Sequence, residues 1–134
     1  MQPKYLKMED AVNAVKSAIA EGIVPGGGMA YYHISNKLLG STVGDSILRK
    51  VLRAPLKAIC ENANADYTEV LLNMPEGKGF NAETCEYVDL LKAGIIDPTR
   101  VERVALENAI SFAVSFIGSK GVIAFGKDDK KIEE

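Results

Sequence analysis

With 134 residues, 47% of them hydrophobic and 25% charged, the chain has room for one domain and a real core. A formal net charge of -2 argues against a phosphate backbone as the main partner, so no nucleic acid is expected. His33 is the only histidine, which excludes a His-based triad or a multi-histidine metal site. Cys60 and Cys85 lack metal-ligand spacing and read as free thiols in a reducing compartment. No apolar run approaches the length of a membrane span, and Met1-Gln2-Pro3-Lys4-Tyr5 does not read as a signal peptide. The expectation is a cytoplasmic protein with no membrane partner and no bound metal of its own.

In chain order, Met8, Ala11, Val12, Val15, Ala18 and Ile19 recur at helical spacing and predict a helix from about Leu6 to Glu21. Asp10, Asn13, Ser17 and Glu21 fall on its opposite face, and Gly22 supplies the stop. Met29 to Leu39 has no breaker and predicts a second helix closed by Gly40, buried between neighbours because Tyr31, Tyr32 and Ile34 cover more than one side. Val43 to about Asn62 predicts a longer third helix, with Pro55 inside it. An interior proline costs about 3 kcal/mol unless the helix bends or is replaced by two abutting helices.

Asp66-Tyr67-Thr68-Glu69 matches a capping box and predicts a short helix through Leu72. Met74 to Ala82 is too rich in turn residues for a helix, and Thr84 to Val88 alternates as a short strand, so a small hairpin is expected here. Asp89 to Ala93 reads as one helical turn ended by Gly94. Asp97 and Pro98 then read as N-cap and first residue of a last long helix. Val101, Ala105, Ile110, Phe112, Ala113, Phe116 and Ile117 make that helix broadly apolar, which predicts burial. Val122–Phe125 is a further strand candidate, and Lys127–Lys131 reads as a solvated run. The fold class predicted is mainly α, a bundle of about five helices with a few short β-strands, in a single domain over residues 1–134.

Glu21-Gly22-Ile23-Val24-Pro25-Gly26-Gly27-Gly28 separates the first two helices. Glycine is a poor residue for holding a core because of its unfolded-state entropy, and a good one for bringing bare backbone close to a ligand. A flexible turn and a ligand platform are both open on these residues alone.

Three stretches together resemble the group I chaperonins, the GroEL-like family. They are Met8-Glu9-Asp10-Ala11 leading into Glu21–Gly28; Gly79-Phe80-Asn81-Ala82 with Thr84 and Glu86-Tyr87; and Gly94-Ile95-Ile96-Asp97-Pro98-Thr99. Arg53-Ala54-Pro55-Leu56 fits between them, and order and spacing agree from about residue 5 to about residue 125. The resemblance implies a partial protein: the C-terminal half of an equatorial ATP-binding domain, with the incoming helix of the intermediate domain over about residues 1–22. It also implies an ATP-dependent molecular chaperone whose subunits assemble into rings. Unfolded proteins and a co-chaperonin would be handled by domains outside this sequence.

The same resemblance assigns roles. Asp10 matches the family's catalytic aspartate, which orients and activates the water attacking the ATP γ-phosphate; phosphoryl transfer needs positioning more than covalent chemistry. A solvated acid on a polar helix face is the plain alternative. Gly27 matches a glycine that lets the backbone approach the nucleotide. Asn81 and Ala82 match the loop holding the adenine, where an amide can both donate and accept; Asn81 could equally be a turn residue. Ile95 would wall the base or simply pack in the core. Asp97 matches the acid that accepts hydrogen bonds from the ribose hydroxyls, or serves only as an N-cap.

Two features depart from the family pattern. Glu83 stands where a small residue is usual beside Ala82, which puts a carboxylate at the nucleotide site if it turns inward. Asn62–Asp66 is shorter than the family's equivalent, which contributes to contacts between stacked rings. The phosphate- and Mg²⁺-binding loop of the family, with its Gly-Thr-Thr-Thr run, has no counterpart in this sequence. ATP or ADP with Mg²⁺ is therefore expected only in the full-length protein, and the isolated chain is expected to be inactive. The alternative reading is a divergent paralogue with weak or no ATPase that acts as an interaction module.

Overall fold

The computed structural model describes residues 2–119 and residue 121. The element order is α1 (Gln2–Glu21), β1 (Ile23–Pro25), α2 (Met29–Lys37), α3 (Val43–Val51), α4 (Ala54–Asn62), α5 (Tyr67–Asn73), β2 (Gly79–Asn81), β3 (Glu86–Val88), β4 (Ile96–Pro98) and α6 (Thr99–Gly118). The fold is mainly helical with short strands, as the periodicity predicts. Two units can be distinguished: one runs through Glu102, and the other begins at Arg103 with the remainder of α6. The Val122–Phe125 strand and the Lys127–Lys131 run lie outside the described residues.

Local signals set most boundaries. Gly22 ends α1 at φ 81°, and its N–H donates to Ala18 O at 2.8 Å. α3 opens on a reciprocal cap: Asp45 N–H donates to Thr42 Oγ1 at 3.0 Å, and Thr42 N–H to Asp45 Oδ2 at 3.2 Å. The predicted long third helix is two helices, broken at Leu52-Arg53 so that Pro55 falls in the first turn of α4. A proline there loses no hydrogen bond, because the first-turn N–H groups have no intrahelical partner. Asp66 caps α5 by accepting from Glu69 N–H at 2.8 Å. Asp89–Gly94 is the expected helical turn. Gly94, at φ 75°, closes it while Gly94 N–H donates to Leu91 O and Ile95 N–H to Leu90 O, the paired bonds of a Schellman ending.

The strands form two antiparallel pairs. β2 and β3 are the expected hairpin, with Phe80 opposite Tyr87 and their rings 6.2 Å apart. β1 and β4 pair across more than seventy residues, in the register Ile23–Pro98, Val24–Asp97 and Pro25–Ile96. This pairing corrects the helix start drawn at Asp97. Asp97 is extended and laddered to β1, and α6 begins only at Thr99, so Asp97 is not an N-cap. The core is Met29 from α2, Leu56 and Cys60 from α4, Val70 from α5, Phe80 from β2, and Leu90.

Two apolar faces are exposed, and for α6 this corrects the expected burial. On α1 the bulky stripe of Met8, Val12, Val15 and Ile19 faces solvent, Ile19 at 81% exposure. The half-buried positions are the small residues Ala14, Ser17 and Ala18. Small side chains let the helix backbone come close to a neighbour, and Ala14 and Ala18 line a cavity with Ile96–Pro98. α6 likewise carries exposed Val101, Ile110, Phe112, Phe116 and Ile117. The helical period identifies an apolar face but not what covers it. The expected burial of α2 holds for Met29 and Ser35, whereas Ile34 is 46% exposed.

Candidate functional site

Of the predicted site residues, Gly27 lies in the glycine turn between β1 and α2 and Asp97 lies against it, and each of the three glycines of that turn faces a different element. A β-carbon on Gly26 would stand 3.0 Å from Asp97 Oδ2 and 3.2 Å from the Ile95 carbonyl. Gly26 N–H donates to that same carbonyl at 2.9 Å, so Gly26 is needed to seat the turn against β4. A β-carbon on Gly28 would fall 2.7 Å from Leu56 N, on the backbone of α4, and Gly28 also has φ 75°. Packing therefore accounts for both Gly26 and Gly28.

Gly27 is different. Its φ of 66° favours glycine, but a β-carbon there would meet only Phe80 O, at an ordinary 3.8 Å. The residue after Phe80 is Asn81, so the turn connects β4 and Asp97 on one side with the end of β2 and Asn81 on the other.

Asn81 closes β2, and its Oδ1 accepts from Glu83 N–H at 3.0 Å. That bond is an Asx turn, so the turn-residue reading of Asn81 is realised. The amide Nδ2 keeps two donors for another group. The left-handed residue of this loop is Cys85, at φ 56°, rather than Asn81. Glu83 is exposed, and Ala82 and Ile95 are half-buried against the core cluster. For Ile95 the packing alternative is thus realised.

Asp97 is half-buried and lines a cavity of about 180 Å³ with Ala14, Val15, Ala18, Ile23, Ile96 and Pro98. Asp97 is the one polar residue of that wall. Small-molecule sites usually enclose about 300–1,000 Å³, so this volume would hold only part of a nucleotide. Asp10 is exposed on α1, four residues before Ala14. That spacing puts it on the Ala14 face, about 6 Å further along the helix axis. Asp10 is therefore on the side of α1 that packs against β4, but it is not in the cluster formed by Gly26, Gly27, Asn81 and Asp97.

Tyr31 was not anticipated as a site residue. Its hydroxyl donates to Glu102 O at 2.7 Å, tying α2 to the start of α6. Burial, the bond to Glu102 and the nearby Glu102 and Asp97 charges all push its ionisation well above the ordinary tyrosine range. A tyrosine on a helix carries no sequence signal for such a long-range bond.

A sequence model of the TCP-1/cpn60 chaperonin family matches residues 4–127. The chain belongs to that family. Among solved structures it is similar to a group III chaperonin crystallised in the open state, with 26% identity and a TM-score of 0.69. The match covers 80% of this chain and 25% of the other, so the chain spans about a quarter of the chaperonin it resembles. The mainly helical fold with a few short strands is thereby that of a chaperonin fragment. Among the described residues no helix is long and apolar enough to cross a membrane.

Proposed function

We propose that this chaperonin chain is the C-terminal half of an equatorial domain of the group I type, entered by α1 from an intermediate domain. In this reading it supplies the adenine and ribose side of an ATP site. The observation that supports it best is the glycine turn, where Gly26 and Gly28 are accounted for by packing and Gly27 is not. A left-handed glycine with open space before it, next to Asn81 and one residue from the Asp97 contact, is suited to close approach by a ligand.

Asp97 would accept from the ribose hydroxyls, and the Asn81 amide would donate to a ring nitrogen of the base. Ala82 and Ile95 would offer the base an apolar surface. Glu83, which is exposed, would stand at the edge of the site and leave the base its place. Asp10, further along α1, would face the γ-phosphate and orient the attacking water. ATP or ADP with Mg²⁺ is the proposed cofactor, the metal arriving with the phosphates that supply much of its coordination. The whole subunit would form rings with copies of itself and act on unfolded proteins with a co-chaperonin, in the cytoplasm.

Equilibrium binding of ADP to the full-length protein tests the site. Asp97→Asn and Asn81→Ala should each weaken ADP by about tenfold, the usual effect of losing one or two ligand hydrogen bonds. Binding unchanged in both variants would refute the assignment.

A further inference from the structure

A second cleft, separate from the glycine turn, lies between the exit of α2 and the outer face of α3. Leu39, Gly40, Ser46, Arg49, Lys50 and Arg53 line a volume of about 520 Å³, within the range of small-molecule sites. Three of these six residues are cations and none is an acid.

Arg53 is held in place on one side only. Its Nε–H donates to Ser35 Oγ at 3.1 Å, and its Nη2 donates to Asn36 Oδ1 at 2.7 Å. The guanidinium carbon lies 5.6 Å from the centre of the Tyr32 ring. Ser35 is fully buried and bonded in turn to Tyr32 O at 2.7 Å, so the anchor is rigid. A guanidinium has five N–H donors in a planar fork, and three remain after these two bonds. Among the described residues, neither Arg49, Lys50 nor Arg53 has a carboxylate within salt-bridge distance.

The local charge balance favours an anion. The C-terminal ends of α2 and α3 contribute roughly half a negative charge each, against three cations. Asp45 is one turn before Arg49, but its Oδ2 accepts from Ser41 Oγ and Thr42 N–H at the N-cap of α3. Those bonds direct it to the far end of the helix. Among the described residues, no group matches the positive charge left over.

We propose that this cleft binds a small anion carrying at least two phosphate groups, one on the Arg53 fork and the other between Arg49 and Lys50. Fixed guanidinium donors suit the planar, bidentate geometry of a phosphate edge. The inference is independent of the nucleotide reading, because the two sites share no residue.

Inorganic pyrophosphate titrated into the ¹⁵N-labelled protein at constant ionic strength tests the proposal. The expected result is saturable binding, with amide shifts confined to Gly40, Ser46 and the Arg49–Arg53 segment. Arg49→Gln with Lys50→Gln, both exposed positions, should weaken it by about tenfold. Lys7→Gln with Lys16→Gln removes the same charge from α1 and should change it less than about twofold. ADP, as the second probe, should move these same amides through its diphosphate. No saturation into the millimolar range, equal losses in the two double variants, or pyrophosphate shifts centred on Gly26–Gly28 and Asn81 would each overturn the proposal.

Discussion

Asp97 Oδ2 lies 3.0 Å from the point where a β-carbon on Gly26 would stand, so the acid and the glycine turn occupy one tightly fitted corner. The carboxylate is held beside bare backbone, on a strand rather than at a helix end. Both neighbours of Asp97 are also fixed in the β1–β4 ladder, Ile96 opposite Pro25 and Pro98 opposite Ile23.

The three glycines should respond differently to alanine. Gly28→Ala combines a left-handed φ with a backbone clash at Leu56, and should cost about 2–5 kcal/mol. Gly26→Ala must displace the Asp97 carboxylate, for about 1–3 kcal/mol. Gly27→Ala meets only its conformational penalty of about 1 kcal/mol. Chemical denaturation gives the order directly. A Gly27 variant as unstable as the Gly28 variant would mean that packing, not open space, surrounds Gly27.

Arg53 joins α2 to the α3–α4 junction through Ser35, Asn36 and the Tyr32 ring. Arg53→Ala should lower stability by about 1–3 kcal/mol. Arg53→Lys should recover only part of that, because an ammonium keeps the charge and loses the fork. Equal stability of the lysine variant and the parent would show that charge alone matters there.

The two thiols should be chemically distinct. Cys60 is fully buried in the core, and burial pushes its thiol ionisation up; Cys85 is exposed. A thiol reagent at neutral pH should modify one cysteine in the native protein and two after unfolding, with Cys85→Ser abolishing the native reaction. Rapid native labelling of Cys60 would contradict the packing of α4 against Met29 and Phe80.

Acid should weaken the start of α3. Hydrogen bonds from Ser41 Oγ and from the Thr42 backbone and side chain hold Asp45 below the usual carboxylate range. A depressed folded-state pKa contributes stability that is present above the unfolded value and lost as pH falls through the folded one. Asp45→Asn should therefore lower the melting temperature at neutral pH, and the gap to the parent should narrow in acid. A gap independent of pH would remove the charge from the explanation.

Legibility in the sequence followed the range of the interaction. Gly22, the break before Pro55, the Asp66 cap and the Asp89–Gly94 turn are each fixed by residues within a few positions of one another. Each was readable. The β1–β4 ladder joins three-residue strands with nothing local to mark them, and it converted Asp97 from an expected cap into a strand residue. The apolar residues of α1 and α6 were recognisable as faces, but exposure depends on what lies opposite. Of the candidate site, Gly27, Asn81 and Asp97 were singled out through the motif resemblance, and their role there stays a proposal. The division of labour among the three glycines required knowing that Leu56, Phe80 and Asp97 surround them.

The central proposal is that this chain carries the water-orienting acid of a chaperonin ATPase. Steady-state ATP turnover by the full-length protein, compared between the parent and Asp10→Ala, tests it most directly. The predicted result is a fall in kcat of at least about a hundredfold, the scale expected of a positioned carboxylate, with the KM for ATP changed only slightly. Turnover unaffected by Asp10→Ala would contradict it.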